Sequence, residues 1–291
     1  MKEFKGKTAV VTGAASGIGY GLAKRFAQEK MNVVLADIEQ DALDAAVSKI
    51  SDLGVEAVGI AVDVMDKNSV QSLAEESIHA FGNIHILCNN AGVSGPVSDE
   101  VIWDLDQNDW DWVLGVNFYG VLYGLQSFVP HMVEHKEEGH VLNTVSLAGI
   151  LGLEGSYGVS KFATLALSEG LFQSLKKINS KIGASALCPG FVATNIINSQ
   201  RNQPKHLSSK KKQNFLLKQL ASAVLKRGKK PDEIAARVIE GIQADSFYIL
   251  PHPIYDERIK ERYERILART EPESIDIKAT WLGTLLRKEE Y

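Results

Sequence analysis

The stretch Thr12-Gly13-Ala14-Ala15-Ser16-Gly17-Ile18-Gly19 follows a short apolar run, 7–12, and opens a segment with helical periodicity, 17–30. Glycines at a strand-to-helix turn allow a tight bend and a close approach of the backbone to phosphate. The free N–H groups at the helix start add a partial positive charge. The context of strand, turn, helix and second strand predicts a pyrophosphate site, and an ordinary glycine-rich turn is the alternative. The candidate residues are Gly13, Ser16, Gly17, Ile18 and Gly19.

Outward from this turn, apolar runs alternate with helical segments along the chain. The predicted strands are 7–12, 32–37, 55–62, 84–89, 140–146, 182–187 and 247–250. The predicted helices are 17–30, 40–53, 67–81, 108–134, 156–178, 231–243 and 254–268. Strands that are apolar throughout and alternate with helices are typical of a parallel sheet covered on both faces. We therefore expect an α/β fold with a Rossmann-type, doubly wound sheet of about seven parallel strands.

Composition narrows the class of protein. The 291 residues are 45% apolar and no Pro-, Gly- or Ser-rich linker divides them, so we expect one domain over 1–291. The net charge of −4 gives no general reason to bind nucleic acid. Cys88 and Cys188 lie in apolar runs and are expected to be buried thiols, with a disulfide as the alternative.

Other function classes have no support in the sequence. The seven histidines show no spacing typical of a metal site. No run approaches the roughly 18 apolar residues of a membrane span, and the first residues, 1–5, lack the apolar core of a signal peptide. We expect a cytoplasmic protein without a metal or a membrane span.

Asp37 ends the second predicted strand, 18 residues after Gly19. A carboxylate there can accept hydrogen bonds from both hydroxyls of an adenosine ribose, and it would repel a 2′-phosphate. Ala15 and Ile38 supply no cation beside it, so the sequence predicts NAD rather than NADP. The alternative role for Asp37 is a helix N-cap. Asp63 and Val64 close the third strand and are candidates to contact the adenine, or else lie in a solvated loop end.

Tyr157 and Lys161 are four residues apart on a predicted helix and therefore share one face. A phenol ordinarily has a pKa of about 10, and a nearby ammonium lowers it toward neutrality, where the phenol can act as a general acid or base. Ser146 ends the preceding strand and can hydrogen-bond a substrate oxygen. Asn117 is a polar residue in an apolar part of the helix 108–134. A surface pair is the alternative for Tyr157 and Lys161 taken alone.

Taken together, these motifs resemble a classical short-chain dehydrogenase/reductase over about residues 5–250. The matching motifs, in order, are TGAASGIG at 12–19, Asp63-Val64, Asn89-Asn90-Ala91-Gly92, Asn117, Ser146, Tyr157 with Lys161, and Pro189-Gly190-Phe191-Val192-Ala193-Thr194. The resemblance implies an NAD(P)-dependent oxidoreductase in which Asn117, Ser146, Tyr157 and Lys161 are catalytic.

The resemblance also implies cofactor contacts. Asn90, Ala91 and Gly92 would lie along the adenosine side and stabilise the central strand. Thr194 would bond the nicotinamide carboxamide, and Lys161 would hold the nicotinamide ribose. Asn117 would hold a water that links Lys161 to solvent. Further implied cofactor contacts are Pro189, Gly190, Val192 and Tyr157.

The chain departs from the family at two places. Ser146 precedes Tyr157 by 11 residues, about two fewer than is common in the family, whereas Thr144 precedes it by 13. The following Leu147-Ala148-Gly149 favours Ser146, and Thr144 stays the alternative. The extension 252–291 exceeds a minimal member of the family. Its FYILPHP strand and terminal helix are similar to the branch that contains aryl-ether Cα-dehydrogenases.

The substrate pocket is expected over the carboxyl ends of the strands. Its candidate residues are Ser94, Val97, Leu147, Leu151, Leu153, Phe191, Ile196 and Ile197. Most are apolar, which predicts a hydrophobic or bulky alcohol or ketone, with core packing as the alternative.

The segment 195–230 lies where the family places a mobile substrate lid. Residues 201–230 contain ten Lys or Arg and no Asp or Glu. This bias could attract an anionic substrate, or it could be a solvated helix face.

The leading hypothesis is therefore an NAD-dependent enzyme that interconverts a secondary alcohol and a ketone. The alternatives are a non-catalytic dinucleotide sensor or scaffold on the same fold and an NADPH-dependent acyl ketoreductase. The resemblance implies a homodimer or homotetramer formed through 108–134 and 156–178, with a small-molecule substrate and no nucleic acid partner.

Overall fold

A computed structural model describes residues 1–97, 100–209, 214–273 and 281–282, and they build one seven-stranded sheet. The strands are β1 Thr8–Thr12, β2 Asn32–Asp37, β3 Ala57–Ala61, β4 Ile86–Asn89, β5 Gly139–Thr144, β6 Ile182–Leu187 and β7 Tyr248–Ile249. Their order across the sheet is β3-β2-β1-β4-β5-β6-β7, and every pairing is parallel. The predicted doubly wound parallel sheet is confirmed.

Helices cover both faces of the sheet. They are α1 Gly17–Gln28, α2 Gln40–Ser51, α3 Lys67–Phe81, α4 Gln107–Leu114, α5 Gly120–Glu134, α6 Ala148–Leu151, α7 Gly155–Lys177, α8 Phe215–Lys226, α9 Pro231–Gln243 and α10 Asp256–Ala268. Short 3₁₀ turns lie at Ile102–Asp104, Ile196–Asn202, Lys205–Leu207 and Pro253–Tyr255.

The alternation of side chains along the strands supplies two cores. Val11 and Leu35 point to one face, where they pack with α1, α2 and α9. Val10 and Val34 point to the other face, where they pack with α3, α5 and neighbouring helices. Because both faces are covered, the central strands contain apolar residues at successive positions.

The chain changes direction across the sheet between β1 and β4. The strands β1, β2 and β3 run outward on one side, and β4 to β7 run outward on the other. A crevice opens beyond the carboxyl ends of β1 and β4, which is where open α/β sheets bind ligands. The glycine turn after β1 and Asn90 after β4 therefore meet at this crevice.

The helix predicted over 108–134 is interrupted. A π-helical turn, Gly115–Tyr119, separates α4 from α5. Apolar periodicity continues through the turn, so the sequence pattern does not show it. Such turns are frequent at functional sites, and this one contains Asn117.

Cys88 and Cys188 are buried free thiols, as predicted, and burial raises the pKa of Cys188 to about 12. Within the described ranges, no helix is long and apolar enough to cross a membrane. Nor do His, Cys, Asp and Glu side chains in that part of the chain gather in a group of three that could hold a metal ion.

Candidate active site

The glycine turn forms a tight cradle at the amino end of α1. Gly13 and Gly17 have φ of +65° and +56°, in the left-handed region that favours glycine. A Cβ on Gly19 would lie 2.6 Å from Asn90 Nδ2 and would also collide with the Gly13 carbonyl oxygen. Ser16 lies at the N-cap and presents the helix N-terminus to the cavity. This backbone suits a pyrophosphate.

Asp37 joins the end of β2 to the glycine turn. Its Oδ2 accepts from the Ala15 amide at 3.0 Å and its Oδ1 accepts from the Glu39 amide at 3.1 Å. The second bond resembles the predicted N-cap, although α2 begins at Gln40 and its N-cap is Glu39. The carboxylate also lines the cavity, and each oxygen keeps a further lone pair for a ribose hydroxyl. The N-cap alternative for Asp37 is therefore wrong, because Glu39 holds that position, and the carboxylate stays a candidate for the ribose.

Asn90 ties three strand ends together. Its backbone N–H donates to Thr12 Oγ1 at 2.9 Å and its Nδ2 donates to the Thr12 carbonyl at 3.0 Å. Its Oδ1 accepts from Thr144 Oγ1 at 3.1 Å. Ala91 N–H also donates to Thr12 Oγ1, at 3.0 Å. These bonds hold the backbone of 90–92 beside the glycine turn.

Most of the predicted cofactor and substrate residues line one cavity of about 770 Å³. On the cofactor side they are Gly13, Ser16, Gly17, Ile18, Asp37, Asp63, Val64, Asn90, Ala91, Gly92, Pro189, Gly190, Val192 and Thr194. On the substrate side they are Ser94, Val97, Leu147, Leu151, Leu153, Phe191, Ile196 and Ile197. Ser146, Tyr157 and Lys161 also line this cavity, whereas Gly19 and Asn117 do not.

Ser146 and Tyr157 meet despite the short segment between them. The Ser146 side chain lies close enough to the Tyr157 phenol to lower its pKa, and its hydroxyl oxygen also accepts a hydrogen bond from the Ala148 amide at 3.1 Å. Thr144 instead turns its hydroxyl to Asn90. The helix α6 takes up part of the short segment between β5 and α7. The structure thus brings Ser146, and not Thr144, to the phenol.

Lys161 is 3% exposed, and its Nζ donates to the Thr144 carbonyl at 2.8 Å. Its Nζ lies 5.9 Å from the centroid of the Tyr157 ring. Burial lowers the pKa of Lys161 to about 8. Burial raises the pKa of Tyr157, and the nearby Ser146 hydroxyl opposes that shift. The lowering of this pKa that the sequence predicts from the Lys161 ammonium is therefore not seen.

Asn117 is fully buried in the π-helical turn, with no exposed side-chain surface. Its Oδ1 accepts from the Val93 amide and its Nδ2 donates to the Val93 carbonyl, both at 2.9 Å. Nδ2 also donates to Ser160 Oγ at 3.0 Å. A Cβ on Gly92 would lie 3.3 Å from Asn117 Oδ1 and 3.5 Å from Lys161 Nζ. Asn117 therefore approaches Lys161 across a glycine, while its side chain fixes the backbone at Val93.

The segment after β6 faces the glycine turn. A Cβ on Gly17 would lie 3.1 Å from Thr194 Cγ2. The Ser94 Oγ lies 3.0 Å from the Gly95 carbonyl oxygen and 3.2 Å from the Ile196 carbonyl oxygen, so the two acceptors share its single proton. Ser94 thus fastens the predicted lid to the end of β4, in addition to lining the cavity.

Several residues around the cavity were not predicted. Arg201 of the lid pairs with Glu39, 162 residues away, with Nε–Oε2 at 3.2 Å, and Asn202 Nδ2 donates to Glu39 at 2.8 Å. This pairing lowers the pKa of Glu39. Tyr255, Arg258 and Trp281 of the C-terminal extension also line the cavity. Of these residues, only Glu39 had a signal in the sequence, because it follows the predicted ribose-binding Asp37 by two residues.

Part of the predicted basic stretch falls in the gap between the described ranges 100–209 and 214–273. Lys210, Lys211 and Lys212 lie outside the described residues. The hypothesis that this stretch attracts an anionic substrate therefore stays a prediction.

Comparisons with known proteins agree with this geometry. The family model described as short chain dehydrogenase matches residues 7–205. The chain is 33% identical to the CLA biosynthesis dehydrogenase/reductase of Lactiplantibacillus plantarum, over 94% of this chain and 97% of that protein. It is 33% identical to the C alpha-dehydrogenase of Sphingobium sp. strain SYK-6, over 95% of this chain and 90% of that protein.

A solved structure is similar over nearly the whole chain. It is a short chain dehydrogenase/reductase from Burkholderia phymatum in complex with NAD, with a TM-score of 0.90 and 36% identity. The match covers 94% of this chain and 99% of that one.

Proposed function

Since this chain belongs to the short-chain dehydrogenase/reductase family and is an NAD(P)-dependent oxidoreductase acting on CH–OH groups, we propose that it uses NAD to interconvert a bulky, apolar secondary alcohol and its ketone. The observation that carries the proposal is that Ser146, Tyr157 and Lys161 share one cavity with the glycine turn and Asp37.

The residues present fit a dinucleotide. The cradle at Gly13 and Gly19 leaves no room for a Cβ, and the free amides at the start of α1 suit a pyrophosphate. Asp37 would hold the adenosine ribose, and Lys161 and Thr194 would hold the nicotinamide end. When bound, the nicotinamide cofactor accepts the hydride of the carbinol carbon in oxidation and returns it in reduction.

The side chains perform the proton transfer. In oxidation the Tyr157 phenolate takes the hydroxyl proton as the carbinol carbon loses its hydride, which leaves a ketone and a neutral phenol. In reduction the neutral phenol donates that proton to the nascent alkoxide. Ser146 holds the reacting oxygen, and the positive charge of Lys161 favours the phenolate. Because burial raises the pKa of Tyr157, the neutral phenol needed for reduction is the resting form.

The preference for NAD is supported by the acidic wall at Asp37 and Glu39, both of which line the cavity. The cation that the structure adds there, Arg201, is already paired with Glu39. A 2′-phosphate would meet carboxylates on this wall. The choice of a bulky substrate is supported by the apolar residues that line the other end, among them Leu147, Leu151 and Leu153.

The test is Tyr157→Phe, assayed by NAD reduction over a panel of aryl, steroid and anionic secondary alcohols. Without the phenol hydroxyl we expect turnover to fall about 1,000-fold or more, in the range that loss of a general acid–base gives or beyond it. NADH binding, measured by fluorescence, should change less than about twofold. Tyr263→Phe, which alters a half-exposed tyrosine of α10, is the matched control. Full activity of Tyr157→Phe would refute the mechanism.

A further inference from the structure

The C-terminal segment 252–262 binds two loops that line the candidate active site. The first is the loop after β6, Pro189–Thr194, which faces the glycine turn. The second is the segment between β5 and α7, which carries Ser146 at one end and Tyr157 at the other. Neither contact is suggested by any motif in the sequence.

His252 binds the first loop through both of its ring nitrogens. The Gly190 amide donates to Nδ1 at 3.1 Å, and Nε2 lies 3.0 Å from the Phe191 carbonyl oxygen. An amide can only donate and a carbonyl can only accept, so the ring must be neutral with its proton on Nε2. His252 is 2% exposed, so few other partners can reach it. A single tautomer therefore fixes two successive backbone groups.

Tyr255 adds a packing contact at the same place. A Cβ on Gly190 would lie 2.8 Å from Tyr255 Cε2 and 3.2 Å from Leu147 Cδ1. The Leu147 amide in turn donates to the Pro189 carbonyl at 2.9 Å. The two loops are thus in direct contact at Gly190, where only a glycine fits between Tyr255 and Leu147.

Arg262 binds the second loop. Its Nη1 donates to the Leu151 carbonyl at 3.0 Å, at the end of α6. Gly152 follows with φ of +71°, and the guanidinium occupies the space where its Cβ would lie. The guanidinium also lies 5.9 Å from the centroid of the Phe162 ring, next to Lys161 on α7. Arg262 therefore joins the short Ser146–Tyr157 segment to the helix that carries the tyrosine and the lysine.

We propose that His252 and Arg262 are positioning residues for the oxidoreductase reaction, His252 for the nicotinamide-side loop and Arg262 for the substrate-side loop. This inference rests on the proposed function. Neither residue transfers a proton or a hydride. Each acts by fixing backbone atoms that face the bound molecules, and the two act on different binding partners.

The division of labour predicts different kinetic effects. His252→Leu removes both loop bonds and is expected to raise the Kd of NADH about tenfold. Arg262→Met is expected to raise the KM of the alcohol and lower kcat about tenfold, with the Kd of NADH within twofold of wild type. His252→Gln can still donate to the Phe191 carbonyl, so we expect it to recover part of the NADH affinity.

A pH profile supplies a readout that a merely structural role would not move. Burial lowers the pKa of His252 below its usual 6.5; the hydrogen bond to the Phe191 carbonyl and the charge of Glu233 oppose this shift, and the charge of Lys229 adds to it. When the ring protonates, Nδ1 becomes a donor facing the Gly190 amide. NADH affinity should therefore fall at acidic pH in the wild type, and this fall should be weaker in His252→Gln.

Matched controls are His79→Leu on α3 and Arg265→Met on α10, which alter exposed or partly exposed side chains away from both loops. The inference fails if the two test variants shift the same parameter, or if both keep wild-type constants and differ only in stability. If His252→Leu does not fold, the NADH affinity of His252→Gln and its pH profile test the positioning role of His252. If the wild type turns over no alcohol, the proposed function fails, while the NADH arm still tests His252.

Discussion

The two ends of the active-site cleft are built differently. At the dinucleotide end, short polar groups at neighbouring strand ends bind one another, as Thr12 does with Asn90 and Asp37 with Ala15. At the substrate end, loops are held by residues from outside the sheet, such as Arg262 at the Leu151 carbonyl. The register of the sheet fixes the first end, whereas the second depends on how the lid and the C-terminal segment fold back.

The largest expected difference follows from the close packing at the dinucleotide end. Gly19→Ala would force its Cβ against the Gly13 carbonyl and the Asn90 amide, so the glycine turn must shift. We expect the Kd of NADH to rise about 100-fold and the protein to lose about 1–3 kcal/mol of stability, as overpacked sites do. Equilibrium unfolding and fluorescence titration measure both.

Gly170→Ala is the matched control, because nothing lies within 4 Å of a Cβ at this position of α7. It should leave NADH binding unchanged and add up to about 1 kcal/mol of stability through helix propensity. Equal effects of the two substitutions would show that the glycine turn is not a close-packed cradle.

The next effect concerns the choice of dinucleotide. Asp37→Ser removes a carboxylate that would repel a 2′-phosphate, so the ratio of kcat/KM for NAD to that for NADP should fall about 10- to 100-fold, or about 1.4–2.7 kcal/mol. Asp44→Ser, on the exposed face of α2, is the control and should leave the ratio unchanged. An unaltered ratio in Asp37→Ser would argue against NAD selection at this position.

A smaller effect, in stability, is expected at the buried Lys161. Burial lowers the pKa of Lys161 to about 8 from 10.5, so the folded state binds this proton less tightly than the unfolded state. Below pH 8 the folded chain carries the full cost of a buried ammonium, and the cost disappears as pH rises toward 10.5. The free energy of unfolding of Lys161→Met should therefore exceed that of the wild type by about 1–2 kcal/mol at pH 7, a figure that already subtracts the lost hydrogen bond to Thr144. The difference should vanish near pH 10.5.

Urea unfolding at several pH values measures this gain, with Lys177→Met, at the exposed end of α7, as the control. A Lys161→Met protein that is less stable than wild type, or equally changed at every pH, would contradict the prediction.

The smallest effect is expected at the ion pair between Glu39, beside the dinucleotide end of the cleft, and Arg201, in the predicted lid. Glu39→Gln breaks the ion pair to Arg201, whose partners are 33% and 39% exposed, and such pairs contribute at most about 1 kcal/mol. We expect NADH to dissociate about two- to fivefold faster in stopped-flow measurements, because the lid is held less firmly. Glu29→Gln breaks the similarly exposed Arg25 pair on α1 and should not change that rate.

The same contrast explains what the sequence could predict. The glycine turn, Asp37 and the Tyr157–Lys161 pair follow from periodicity, because each lies at a strand end or on one helix face. Glu39–Arg201, His252 and Arg262 could not be predicted, because their contacts depend on segments that return to the sheet from 62 to 162 residues away. The π-helical turn could not be predicted because the residues around it, 112–125, are almost all apolar, so a phase shift of one residue leaves no trace in the pattern.

The extra residue of the π-helical turn has a consequence of its own. If one position between Gly115 and Tyr119 were deleted, an unbroken α-helix could run from Gln107 to Glu134, with regular backbone bonds up to Pro130, which has no N–H to donate. Everything before the deletion would be rotated by about 100° relative to everything after it. The amide of Asn117 could no longer face both Val93 and Ser160. The buried side chains of α4, Trp112 among them, would turn away from their core contacts as well, so the irregular turn serves both the packing of α4 and the placement of Asn117.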